Sequence, residues 1–146
     1  MAFSSKLVPV ARMRPGKIMN RRVICCVIVL LAIPTGIVWR SLPLPYFAWK
    51  YGGSALWTVA LYFTLAALLP RLRPAAIATM SAIAALLVEF SRLAQQPALE
   101  AFRQTLAGRL LLGRYFSFWD IAAYWLVIIA LFFVDSRLLQ SHTQSN

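Results

Sequence analysis

Four apolar runs, from about Val23 to Trp39, Ala55 to Leu69, Ala75 to Ala94 and Phe118 to Val134, leave this chain few ways to fold. Each approaches the ~17–25 residues that a helix needs to cross a hydrocarbon core. The first two are short, but Gly and Pro at their ends and the flanking aromatics Trp39, Tyr46, Phe47, Trp49 and Trp57 extend them into the interfacial zone. Only 13% of the 146 residues are charged, against about 25% in an ordinary soluble domain. The expected fold is therefore all-α, an integral membrane four-helix bundle. Its transmembrane domain, 23–135, lies between a basic tail, 1–22, and a polar tail, 136–146. Pro34 is expected to kink the first helix.

The net charge of +11 is not spread as on a nucleic-acid-binding surface. Basic residues gather in the first 22 positions and in short links between apolar runs, which is the pattern of membrane topology, so no nucleic-acid partner is expected. Lys6, Arg12, Arg14, Lys17, Arg21 and Arg22 precede the first run without an acidic residue, and Arg71 and Arg73 lie in the second link. Both segments belong on the cytoplasmic side, and four spans return the C-terminus to that side. Basic residues followed by "VICCVIVLLAIPTGIVW" imitate a signal peptide, but no small-x-small site follows, so an uncleaved signal anchor is expected.

Cofactor chemistry finds little support. Cys25 and Cys26 are adjacent and read as small apolar filler, and the single His142 lies in a polar tail, so no metal or other cofactor is expected.

The long link between the third and fourth helices, on the outer side, contains "PALEAFRQTLAGRLLLG". Pro97 can start a helix there, Gly108 can end it, and Leu99, Phe102 and Leu106 recur at helical spacing, which predicts a short amphipathic helix.

Polar residues concentrate at the same outer level. On the third helix Ala78, Ala82, Ala85, Glu89, Arg92 and Gln96 form one stripe at steps of four and three. Asp120 and Tyr124 lie one turn apart on the fourth, and Ser54, Thr58 and Tyr62 share a face of the second. Charges at such depth are costly and face protein or water rather than lipid. Six basic residues (Arg40, Lys50, Arg92, Arg103, Arg109, Arg114) meet three acidic ones (Glu89, Glu100, Asp120) in this outer half, against the positive-inside tendency. Three readings fit them: a structural ion-pair network, a site for an anionic ligand or lipid headgroup, and acid–base chemistry by Glu89 and Asp120.

The stretch "GIVWRSLPLPYFAWKYGGSALW" resembles a family of small bacterial membrane proteins, of unknown function and related to the VanZ-like proteins. The matching residues are Gly36, Arg40, Pro45, Lys50, Tyr51, Gly53, Leu56 and Trp57. A second block is similar at Glu89, Arg103, Gly108, Leu110, Leu112, Gly113, Phe116 and Asp120, and the resemblance covers about Val23 to Val134. Two positions depart from the pattern: Ser54 stands where an Asp is usual and Arg92 where a Gln is usual, which makes the outer site more cationic. The resemblance implies a bacterial inner-membrane location and a connection with the cell envelope.

The expected function is non-enzymatic: recognition of an anionic envelope component, such as a lipid-linked peptidoglycan precursor or a peptide carboxylate. The expected site comprises Glu89, Arg92, Arg103 and Asp120, with Arg40 and Lys50 at its rim. Membrane lipid is the expected partner, with a second copy of the chain or another membrane protein as further candidates. The alternative is a structural or accessory subunit of a membrane complex.

Overall fold

The computed structural model describes residues 15–94, 96–105, 107–108, 112 and 117–144, with side chains described from 20 to 137. Among these residues the protein is entirely helical: α1 (Pro15–Ser41), α2 (Tyr46–Leu68), α3 (Pro74–Ser91), α4 (Pro97–Gln104) and α5 (Phe118–Gln144). Four helices are long and apolar enough to cross a membrane, over Asn20–Ser41, Tyr46–Leu68, Pro74–Ser91 and Phe118–Arg137. The short α4 lies between the third and fourth of them, so the architecture is the expected four-span bundle with a small helix in its longest link.

Proline sets three of the starts. Pro15, Pro74 and Pro97 each open a helix, where the missing N–H would have had no partner anyway. α1 continues through Pro34, and Thr35 turns its hydroxyl back to the Leu31 carbonyl at 2.7 Å.

α2 begins at Tyr46, well before Ala55, and Gly52 and Gly53 inside it serve packing. A Cβ at Gly52 would run into the Trp39 indole, and one at Gly53 would touch the Arg40 side chain. Two indoles then tie the link: Trp39 Nε1 donates to the Ala48 carbonyl at 2.9 Å and Trp49 Nε1 to the Arg40 carbonyl at 3.0 Å. The second satisfies one of the carbonyls that the end of α1 would leave bare.

α2 is the centre of the bundle. It packs against α1, α3 and α5, while α3 packs against α5. Cys25, Tyr62, Phe63, Ala66 and Ile77 form an apolar core nearer the Arg21 end, joined by Leu131 from α5. Ser54, Thr58 and Tyr62 do share an inward face, with Thr58 and Tyr62 fully buried. On α3 the buried line is Ile77, Ser81, Ala85 and Glu89, at strict steps of four, and Ala78 and Ala82 only flank it. The difference lies in volume: Ile77 fills space beside Tyr62 and Phe63 that alanine would leave empty.

At this end one side chain fastens three segments. Arg21 pairs bidentately with Asp135 of α5, Nη2 to Oδ2 at 2.7 Å and Nε to Oδ1 at 3.3 Å. Its Nη1 donates to the carbonyls of Pro70 and Leu72, at 2.9 Å each, in the link from α2 to α3. Tyr62 adds a hydroxyl bond to Asp135 at 3.2 Å. Arg21 therefore leaves the basic tail for the protein interior, and Asp135, at the edge of the last apolar run, is its reason.

Fifteen residues of α5 separate Asp135 from Asp120, about 22 Å at the ~1.5 Å rise of a helix. The two charged layers are thus separated by somewhat less than the roughly 30 Å thickness of a hydrocarbon core. Exposed Tyr46, Phe47, Trp49, Phe118 and Trp119 gather at the Arg40 end as an aromatic belt.

Removing one member of a buried ion pair costs about 3–5 kcal/mol. Asp135→Leu is expected to lower the thermal midpoint in detergent sharply, and Arg21→Met/Asp135→Leu to recover part of the loss. Equal midpoints for the single and double variants would show that the pair itself does not hold the bundle.

Candidate functional site

The polar layer at the Arg40 end is built where α3 stops. α3 ends at Ser91 rather than near Ala94, and tight i to i−3 bonds close it: Arg92 N to Glu89 O at 3.1 Å, Leu93 N to Phe90 O at 3.0 Å and Ala94 N to Ser91 O at 3.0 Å. Glu89 consequently lies in the last turn of the helix. It is nevertheless 0% exposed.

A carboxylate so enclosed needs partners, and α5 and its approach supply them. Glu89 Oε1 accepts the Ser117 backbone N–H at 2.7 Å, Oε2 faces the Tyr124 hydroxyl at 3.4 Å, and Arg92 Nη1 is 2.6 Å from Oε2. The same Arg92 reaches Asp120 Oδ2 at 3.3 Å, the Tyr124 hydroxyl at 3.1 Å and the Leu112 carbonyl at 2.5 Å. One guanidinium therefore bridges both carboxylates, a phenol and the chain before α5.

Lys50 of α2 completes the network. Its Nζ is 3.8 Å from Asp120 Oδ1 and donates to Ser117 Oγ at 3.2 Å, and it lies over the rings of Tyr46 and Tyr51 at 6.0 and 5.7 Å. Two acids, Glu89 and Asp120, face two bases, Arg92 and Lys50, so this cluster is electrically neutral. Lys50 is the most accessible of the four, its side chain 25% exposed.

Arg103 does separate work. It is only 4% exposed, the buried side chain of α4, and its Nη2 binds the Ser91 carbonyl while Nη1 binds the Ala94 carbonyl at 3.1 Å and Glu100 at 3.4 Å. These carbonyls lie at and just past the end of α3, so a side chain from the next helix caps it. The short helix turns this arginine inward and leaves Phe102 exposed. α4 itself closes at Gln104, a turn ahead of Gly108, whose N–H bonds Thr105 Oγ1 at 3.0 Å where the Phe102 carbonyl leaves no room for a side chain.

Arg40 stands apart. It is exposed at the end of α1, beside buried Gly53, and among the described residues its side chain has no ion-pair partner. Below it an open cavity of about 430 Å³ runs between α1 and α2, walled by apolar side chains and bounded by Arg40 and Ala107. Trp57 separates this cavity from the charged network, its ring 5.4 Å from that of Tyr124.

Of the six residues expected to form a site, the structure brings Lys50, Glu89, Arg92 and Asp120 into one network, seats Arg103 beneath α3, and leaves Arg40 on the cavity. Arg109, Arg114, Leu106, Leu110, Gly113 and Phe116 lie outside the described residues, as do Lys6, Arg12 and Arg14. Ser117 escaped the sequence reading because its backbone N–H, not its residue type, holds Glu89. The cavity escaped it because a hollow between helices leaves no residue-type signature. Among the described residues no three His, Cys, Asp or Glu side chains cluster as a metal site would.

Glu89→Gln and Arg92→Gln are each expected to cost about 3–5 kcal/mol, since each strands a buried charge. Lys50→Gln, at a longer and more accessible pair, is expected to cost about 1 kcal/mol or less. Thermal melts of the three variants in one detergent give the order directly, and a Lys50 variant as unstable as Glu89→Gln would contradict it.

No curated protein and no solved structure matches the chain. A family model described as a protein of unknown function (DUF2809) matches residues 43–128, from the link before α2 to the middle of α5. The matched segment contains Lys50, Glu89, Arg92, Arg103, Ser117 and Asp120, while Arg40, Arg21 and Asp135 fall outside it. It covers more than half of the sequence, and the chain belongs to this family.

Proposed function

We propose that this multi-pass membrane protein recognises an anionic component of the bacterial cell envelope from the inner membrane. Arg40 is the observation that carries the reading. At its end of the bundle Lys50, Arg92 and Arg103 are engaged by internal acids and carbonyls, whereas Arg40 presents its guanidinium beside a cavity with no ion-pair partner among the described residues. An arginine so placed suits a phosphate or carboxylate, which it can grip through two parallel N–H donors. Kinship with VanZ-like proteins, suggested by the motifs around Arg40 and Glu89, points to the same compartment.

In this reading both termini are cytoplasmic and Arg40 faces outward. The support is the distribution of charge, with Arg21, Arg22, Arg71 and Arg73 at the opposite end. Cysteines placed at Gln104 and Ser141, in a background lacking Cys25 and Cys26, should react with an impermeant maleimide from opposite sides of the membrane. Reaction of both from one side would sink this topology.

The neutral network of Lys50, Glu89, Arg92 and Asp120 favours a second reading for those four residues, as the frame of an accessory subunit that docks into a membrane complex. The two readings separate at Arg40. With dihexanoyl-phosphatidylglycerol as a headgroup probe in detergent, the wild type should gain thermal stability, Arg40→Gln should lose most of that gain and Arg40→Lys should retain part. A gain unchanged in Arg40→Gln would remove anion recognition at this position and leave the accessory reading.

A further inference from the structure

The cavity beneath Arg40 bears on the kind of anion. Ala32, Gly36 and Arg40 follow one another at steps of four on α1, so two small residues and the guanidinium share one face. Opposite them on α2, Gly53, Trp57, Ala60 and Thr64 recur at steps of four, three and four. Small residues on both faces leave a hollow that is open along the helices, and Arg40 closes its upper end. The span from Ala32 to Arg40 is about 12 Å of helix at a ~1.5 Å rise.

Such a shape suits some anions and rejects others. A peptide carboxylate would carry its own amide groups into an apolar wall, where each unpaired group is costly. A hydrocarbon chain brings none. The volume, about 430 Å³, falls within the ~300–1,000 Å³ of ordinary ligand pockets. We infer that the molecule recognised at Arg40 is a phosphate-headed lipid with one hydrocarbon chain lying in this groove; the inference rests on the anion-recognition reading above.

The physics of the bilayer decides where selectivity arises. Lipid tails are as apolar as the groove walls, so moving a chain from the bilayer into the groove gains packing and little hydrophobic free energy. The phosphate at Arg40 therefore discriminates between headgroups, and the groove discriminates between chains that fill it and chains too short to do so. At the groove mouth the Arg40 side chain lies against Gly53 of α2. Trp57 forms part of the wall and is braced from behind by Tyr124, which the charged network holds.

The test compares two probes that share a headgroup. Delipidated protein in detergent is titrated with dipalmitoyl-phosphatidylglycerol and with dihexanoyl-phosphatidylglycerol, and bound lipid is counted by native mass spectrometry. Ala60→Phe and Thr64→Phe put bulk into the groove, and Leu126→Phe, on the exposed face of α5, is the control. The groove variants should lose about tenfold or more in affinity for the long-chain probe, a typical cost of misfitting an apolar pocket. They should bind the short-chain probe as the wild type does, and the control should bind both normally. Undiminished long-chain binding by both groove variants overturns the chain site while leaving Arg40 recognition standing. Undiminished binding of both probes by Arg40→Gln overturns the recognition reading itself.

Discussion

A hydrocarbon surround offers no water to a carboxylate, and three acids of this chain, Glu89, Asp120 and Asp135, are nonetheless buried. Each must be answered by a cation or donor from another part of the chain, and the answers decide which segments meet. Asp135 draws in Arg21 and, through it, the link between α2 and α3. Glu89 and Asp120 draw Arg92 and Lys50 together and fix the approach to α5 through Ser117. The apolar layer between these two ends needs only to be filled, and α2 fills it by touching all three other long helices.

The two ends differ in what they leave available. Near Arg21 the guanidinium is committed to one carboxylate and two carbonyls and faces inward. At the other end the same economy of pairing absorbs Arg92, Lys50 and Arg103, and Arg40 is outside it. The contrast turns a count of outer arginines into a distinction among them. An excess of positive charge in the sequence implied several ligand-facing cations, but pairing geometry assigns Lys50, Arg92 and Arg103 to the protein itself. The arginine left for the proposed recognition is Arg40, whose neighbours are a glycine and an apolar hollow.

Much of the fold was legible in the sequence because membrane helices advertise themselves by length and apolarity. The four spans, the short helix after Pro97 and the convergence of Lys50, Glu89, Arg92 and Asp120 at one level all follow from hydropathy and a 1.5 Å rise. The packing of α2's first turns was not legible, since nothing in the sequence shows that Trp39 and Arg40 lie against Gly52 and Gly53. Arg21 looked like one more charge in a basic tail, because its partner stands far away in sequence. Long-range pairing of single charges leaves no periodic trace, and neither does a cavity, which is made of what the side chains omit.

That long-range pairing has a consequence for how the protein is made. Arg21 and Asp135 are separated by 114 positions, so at ~5–20 residues per second the ribosome needs on the order of ten seconds between them. Throughout that interval the carboxylate that answers Arg21 does not yet exist. Only when the last helix arrives can the guanidinium meet its carboxylate and join that helix to the link between the second and third. Full closure of the bundle is thereby tied to the completion of its last helix, and a chain truncated before Asp135 would keep the network of Glu89, Arg92 and Asp120 yet lack the lock at the Arg21 end.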